Sequence, residues 1–232
     1  MTTTTLLHLD SSADLPGESV SRDLTARFAH AWRARHGASG YRYRDLAADQ
    51  VPLLGPAYAP LGRRAERRGV LSPAEVSALA EGPDERREWA LTQPLIAELL
   101  AADTVLLGVP MYNFTVPAAL KAWIDRVSFP GAYTDPATGR SLLDGTRVVV
   151  VTACGGGYGP GTPREAFDFQ TPYLRAYFTN LGVPDSALHF VHAELTRADD
   201  IPALAGLQPL AAASLAAARS AVADLAAASL TG

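Results

Sequence analysis

Cysteine is nearly absent from this 232-residue chain, with Cys154 the only one. A lone cysteine closes no internal disulfide, so nothing in the composition argues for an oxidising compartment. Lysine is as scarce: Lys121 is the only one, and arginine supplies nearly all the positive charge. That skew reads as genome composition rather than recognition. The formal net charge is only -4, which gives no reason to expect nucleic acid or an anionic membrane as a partner. The five histidines are scattered, with no pair at metal-ligand spacing, and His8 and His192 near strand ends read as structural. No Gly-x-Ser-x-Gly elbow appears, which disfavours a serine hydrolase. A Walker loop is missing, and so is a Gly-x-Gly-x-x-Gly between the first strand and first helix, which disfavours nucleoside triphosphate and dinucleotide sites. The start, Met1 with four threonines, lacks the basic residues and long apolar stretch of a signal peptide. No uninterrupted apolar run approaches bilayer length. The nearest, the Ala-rich C-terminal stretch, is broken by Arg219 and Asp224. The expectation is a soluble, cytoplasmic protein.

What remains is 48% hydrophobic residues, enough for a sizeable core and suited to one domain over residues 1–232. Apolar runs predict buried strands at Thr5–Leu9, Thr104–Val109 and Arg147–Thr152, with further strands at Tyr41–Leu46 and Ala187–Ala193. Helical spacing covers Ser19–Arg35, Asp84–Ala101, Val116–Val127, Phe169–Leu181 and a long Ala-rich stretch, Pro202–Leu230. Ser72-Pro73-Ala74-Glu75 carries a helix start, with Ser as cap and Glu three residues later. Val51–Arg68, rich in Pro, Gly and Arg, reads as a long loop, and Phe129–Leu143 as an irregular excursion. Strands alternating with helices imply an α/β protein: a doubly wound, five-stranded parallel sheet, order 2-1-3-4-5, with helices on both faces.

In such a sheet a ligand sits beyond the carboxyl ends of the strands, where the strand order reverses. Three loops should meet there. The first, 11–21, ends at a helix start with Ser19 and Ser21, where free amides and hydroxyls can receive a phosphate. Ser19 reads equally as an ordinary helix cap. The second, Pro110-Met111-Tyr112-Asn113-Phe114, delivers a thioether, two aromatics and an amide to the rim, a set that suits a planar heterocycle. Singly, Met111 and Phe114 are equally core residues and Asn113 a turn residue. The third, 153–161, with Cys154-Gly155-Gly156-Gly157-Tyr158-Gly159, allows close approach of backbone to a ligand. Cys154 reads as a space-filling residue at a strand end rather than a redox thiol.

These residues resemble the FMN-dependent NADH-azoreductases, also called NADH:quinone oxidoreductases, a flavodoxin-like family. Leu9-Asp10-Ser11-Ser12 with Ser19-Val20-Ser21 is similar to that family's phosphate loop. Pro110 to Phe114, continued by Leu120-Lys121-Ala122-Trp123-Ile124-Asp125, looks like its most specific signature, and Thr171-Pro172-Tyr173-Leu174 like the start of its fifth helix. The resemblance implies FMN held at the phosphate by Ser12, Ser19, Val20 and Ser21. It places Pro110, Met111, Tyr112, Asn113 and Phe114 along the isoalloxazine, with Ala153, Cys154, Gly155 and Gly156 standing where the family has Ser-Arg-Gly-Gly. It further implies NADH or NADPH as donor, a quinone, azo compound or similar small molecule as acceptor, and a homodimer whose sites are completed across subunits. Loop 51–68 would then belong to the interface or a lid, or be a plain exposed loop. Phe129-Pro130-Gly131-Ala132-Tyr133 replaces the family's Phe-x-Tyr, with Tyr133 the candidate substrate-side aromatic. The alternatives are a dedicated reductase of one biosynthetic intermediate, a flavodoxin-type electron carrier, and a phosphate-binding regulatory module without flavin.

Overall fold

The computed structural model describes residues 3–228. Five strands, β1 (Leu6–Asp10), β2 (Tyr41–Asp45), β3 (Thr104–Pro110), β4 (Arg147–Ala153) and β5 (Leu188–Ala193), form one sheet. Its order is β2-β1-β3-β4-β5 and every pairing is parallel, as expected from the alternation. Seven helices cover it: α1 (Val20–His36), α2 (Tyr58–Arg68), α3 (Pro73–Leu79), α4 (Gly82–Leu100), α5 (Ala118–Val127), α6 (Gln170–Asn180) and α7 (Gln208–Ala227).

Successive strand residues point to opposite faces, and so the sheet divides the core in two. Leu7, Leu9, Val105, Leu107, Val148 and Val150 pack under α4, α5 and α6. Leu6, Leu106, Val149, Val151 and Val191 pack with Leu24, Phe28 and Trp32 of α1 and Ala218, Val222 and Ala226 of α7. β3 is buried along its whole length, which explains its unbroken apolar sequence. In register, Asp10 stands beside Gly108 and Pro110 beside Ala153, so β3 and β4 end level with each other, two residues beyond the end of β1 on the same edge of the sheet.

One expectation is corrected. Residues 58–68, read as loop, form α2, whose buried residues Tyr58, Leu61, Gly62 and Ala65 follow helical spacing. The stripe escapes notice because two of its four members are small. Pro60 costs little, since it lies in the first turn, where no intrahelical acceptor waits. Gly62 faces the rings of Pro130 and Phe129, where a Cβ would make ordinary van der Waals contact at 3.6 Å or more. The predicted capping box is present: Ser72 Oγ accepts from Glu75 N and Glu75 Oε2 from Ser72 N. The C-terminal helix starts later than expected, at Gln208, after a short 3-10 turn at Pro202–Leu204 and Gly206 at φ +89°. Residues 229 and 230 of that expectation, and Met1 and Thr2 at the start, lie outside the described residues. At 20 residues and a mean hydropathy of 1.3, α7 is by length and composition able to cross a membrane. Here it packs against α1 and β5.

Arg126 of α5 ties the helical layer to the chain preceding α2. Its side chain is fully buried and pairs with Glu88 at 2.9 Å. It donates to Pro52 O at 2.9 Å, Leu53 O at 2.7 Å and Thr92 Oγ1 at 3.3 Å. Replacing it by Met would strand Glu88 and two carbonyls. Arg126→Met is expected to lower unfolding free energy by about 3–5 kcal/mol. A urea titration in which the unfolding free energy falls by less than a third of that would show the staple to be dispensable.

Candidate functional site

A cleft of about 940 Å³ opens at the carboxyl ends of β1, β3 and β4. Ten of the expected residues line it: Ser19 and Val20 on one wall, the run Pro110 to Phe114 on a second, and Ala153, Gly155 and Gly156 on a third. Ser12, Ser21 and Cys154 do not; all three are buried behind the surface. Tyr133 lies elsewhere. Its ring lines a separate 310 Å³ pocket, and its hydroxyl donates to Val127 O at 2.9 Å. It is therefore not an aromatic of this chain's own cleft.

The first wall is the N-terminus of α1. Ser19 caps it with extended backbone, its Oγ accepting from Arg22 N at 3.4 Å and lying 3.2 Å from Ser21 Oγ. Capping and ligand binding are thus compatible, because the amides of Val20 and Ser21 have no acceptor in the turn. Beneath this loop lies a buried charged cluster. Arg22 donates to both carboxylate oxygens of Asp45, at 2.8 and 2.7 Å, and to Ser12 O at 2.6 Å. That forked contact holds the Asp45 carboxyl below its ordinary range. Asp10 accepts from Thr25 Oγ1 at 2.9 Å and Tyr43 Oη at 3.1 Å, with His8 Nε2 at 3.3 Å and Arg22 Nη1 at 3.8 Å. Gly108 makes room for it: a Cβ there would lie 2.2 Å from Asp10 Oδ1. The histidine His8 is indeed structural, its Nδ1 2.9 Å from Tyr41 Oη.

The second wall is a tight turn. Tyr112 N donates to Thr115 O at 3.0 Å and Thr115 N to Tyr112 O at 3.1 Å. Its two central residues are left-handed, Asn113 at φ +48° and Phe114 at φ +72°. This is the primed turn of β-hairpins, which favours Asn-Gly. Asn tolerates the geometry, whereas Phe is strained there by roughly 1–3 kcal/mol. Tyr112 also accepts from Ala13 N through its hydroxyl at 3.0 Å, joining the second wall to the first.

The third wall is laced to the chain after β5. Cys154 N donates to Ala193 O at 2.8 Å, Thr196 N to Cys154 O at 3.0 Å and Leu195 N to Gly156 O at 3.0 Å. That lacing brings Thr196, Arg197, Ile201 and Leu204 into the cleft, a fourth wall that sequence reasoning missed. No periodic pattern marks a loop after a last strand. A Cβ on Gly155 would lie 3.3 Å from Arg197 Cδ, so any side chain there would make Arg197 shift by a few tenths of an ångström. Tyr158, within the third expected loop, and Phe167, which was not expected, cluster on Phe114 at ring distances of 6.2 and 5.5 Å.

The cleft fits a phosphate-bearing planar heterocycle. Among the described residues, the amides of Asn113, Phe114, Gly155 and Gly156 have no protein acceptor. They line a cleft that mixes Met111, Tyr112 and Phe114 with the charged Asp14, Glu18, Arg164, Arg197 and Asp200, opposite a helix N-terminus. The described residues contain no group of His, Cys, Asp and Glu able to hold a metal ion.

Fold and cleft together define a flavodoxin-like domain with its site at the strand ends. The flavodoxin-like fold family matches residues 4–208. An FMN-dependent NADH:quinone oxidoreductase of Nocardia farcinica is 45% identical over 202 residues, 87% of this chain and 88% of that protein. A solved azoreductase of Bacillus anthracis superposes with a TM-score of 0.76 at 19% identity, covering 96% of this chain and 98% of that one. An FMN-dependent NADH-azoreductase of the same species, solved in complex with FMN, gives 0.72 at 19% identity, with 96% and 100% covered. At that identity the two structures speak for the fold alone. The chain belongs to the flavodoxin-like family of FMN-dependent NADH:quinone oxidoreductases.

Burial first, then the charges of Glu194 and Asp168, push the Cys154 thiol up to about 12. At pH 8 roughly one chain in ten thousand then carries the thiolate that reacts. Native protein should therefore resist a disulfide reagent that titrates one thiol at once in denaturant. Rapid labelling of the folded protein would reinstate Cys154 as a reactive group.

Proposed function

We propose that this chain is an FMN-dependent NADH:quinone oxidoreductase that also reduces azo compounds. The observation that carries the reading is the juxtaposition, around one 940 Å³ cleft, of a helix N-terminus with two loops of unpaired amides. When bound, FMN supplies hydride transfer between NADH and the acceptor, chemistry that needs no acid–base dyad from the protein. The chain's own residues bind and orient. Ser19 and the first amides of α1 receive the phosphate, with Ser12 and Ser21 supporting that loop from behind. The unpaired amides of Asn113, Phe114, Gly155 and Gly156 address the ring edge, and Met111, Tyr112 and Phe114 shield it from water. The acceptor enters on the side of Tyr158, Phe167 and Arg197.

The proposal extends to a cytoplasmic homodimer that uses NADH or NADPH. Exposed aromatics beside the cleft, Phe167 and Phe169, suit cover by a second subunit.

Titration of the purified protein with FMN should show binding at micromolar concentration or tighter, and anaerobic NADH should bleach the bound flavin. Ser19→Ala with Ser21→Ala should weaken FMN about tenfold or more, roughly 1.4 kcal/mol, by removing two hydroxyls from the phosphate site. Absence of any flavin binding by the wild-type protein would sink the reading.

A further inference from the structure

We infer that Gln170 is a positioning residue that clamps the strained turn 112–115 and so holds its amides on the cleft. The inference rests on the proposed FMN site only in what the turn presents, not in how it is held.

Two left-handed residues in a row make this turn costly, and the cost falls on Phe114, which has neither glycine's freedom nor asparagine's polar side chain. Its own two cross-turn hydrogen bonds are assisted from outside. Gln170, the first residue of α6, is wholly buried. Its Nε2 donates to Pro110 O at 3.0 Å and to Thr115 O at 3.3 Å. Both partners are carbonyls, so the NH₂ end of the amide must face them. One group thus ties together the two ends of the loop that carries Met111 to Phe114. The preceding residue adds a third tie, Phe169 N to Phe114 O at 3.1 Å. Asp168 fixes this part of α6, its Oδ1 accepting from Gln170 N at 3.0 Å and Thr171 N at 2.9 Å. On the far side Met111 N donates to Ala153 O at 2.9 Å, which anchors the loop to β4.

Packing alone does not account for Gln170. Its Oε1 is buried with no protein partner, an arrangement that costs stability relative to an apolar side chain of the same size. Gln170 does not line the cleft, and it acts through the turn.

The test is a double-mutant cycle between Gln170→Leu and Phe114→Gly. Glycine adopts the second position of a primed turn without strain, so the clamp should matter only while Phe114 is there. In the protein without flavin, amide hydrogen exchange of Tyr112 and Thr115 should speed up in Gln170→Leu. It should return toward wild type when Phe114→Gly is added. FMN affinity should fall about tenfold or more with Gln170→Leu alone, and less than about threefold when it is introduced into Phe114→Gly. Gln170→Glu, which faces two carbonyls with a carboxylate, should behave like Gln170→Leu or worse. Should Gln170→Leu fail to fold, the double variant should recover the fold. Unchanged exchange, an equal loss of FMN affinity in both backgrounds, or failure of the double variant to fold would each overturn the inference. The exchange measurements need no flavin, so they remain decisive even if wild-type protein binds none.

Discussion

A parallel strand buried on both faces can leave the sheet only at its ends, and that constraint organises this protein. β1, β3 and β4 are paired in a register that brings Asp10, Pro110 and Ala153 to one edge. Three loops therefore start from one rigid line, and the space between them becomes the cleft. The helices keep the sheet dry, and two of them begin at that edge: α1, whose N-terminus forms one wall, and α6, whose first residue Gln170 donates to Pro110 O and Thr115 O.

Taking charge into this edge requires compensation. Asp10, at the end of β1, is buried, yet it is met by Thr25, Tyr43, Arg22 and His8. Arg22 is in turn shared with Asp45 and with the Ser12 carbonyl. A buried carboxylate left alone would cost far more than such a network recovers, but a partnered one fixes the loop around it. Gly108 completes the arrangement by leaving β3 without a side chain where Asp10 must sit. The loop from Ser11 to Ser19 is thereby set from underneath.

How far all this is legible in the sequence depends on the kind of signal each part sends. β3 and β4 announce themselves, because burial on both faces demands unbroken apolar runs. α2 does not, since Gly62 and Ala65 bury their faces without looking hydrophobic. The three loops follow from chain order alone; ten of their residues line one cleft, while Ser12, Ser21 and Cys154 lie buried behind it. The turn at Asn113 and Phe114 could have been read as a turn, but not as a primed one, because Phe gives no hint of a left-handed backbone. The wall from Thr196 to Leu204 sends no pattern at all, being defined by hydrogen bonds to Cys154 and Gly156. Tyr133 shows the limit of likeness: a residue placed by analogy to a hairpin ends inside a different pocket once the excursion is shorter.

The two halves of the cleft are held differently, and the difference bears on what evolves easily. The half formed by residues 110–115 and 153–156 is gripped by α6, β4 and the chain after β5, with backbone groups as its working surface. Side-chain substitution there alters little unless it breaks the grip. The half bearing Tyr158, Phe167 and Arg197 presents side chains from loops, and Phe167 and Arg197 are exposed. Changes there cost little stability and alter shape and charge directly. A fold built this way can keep one cofactor geometry while its acceptor preference drifts.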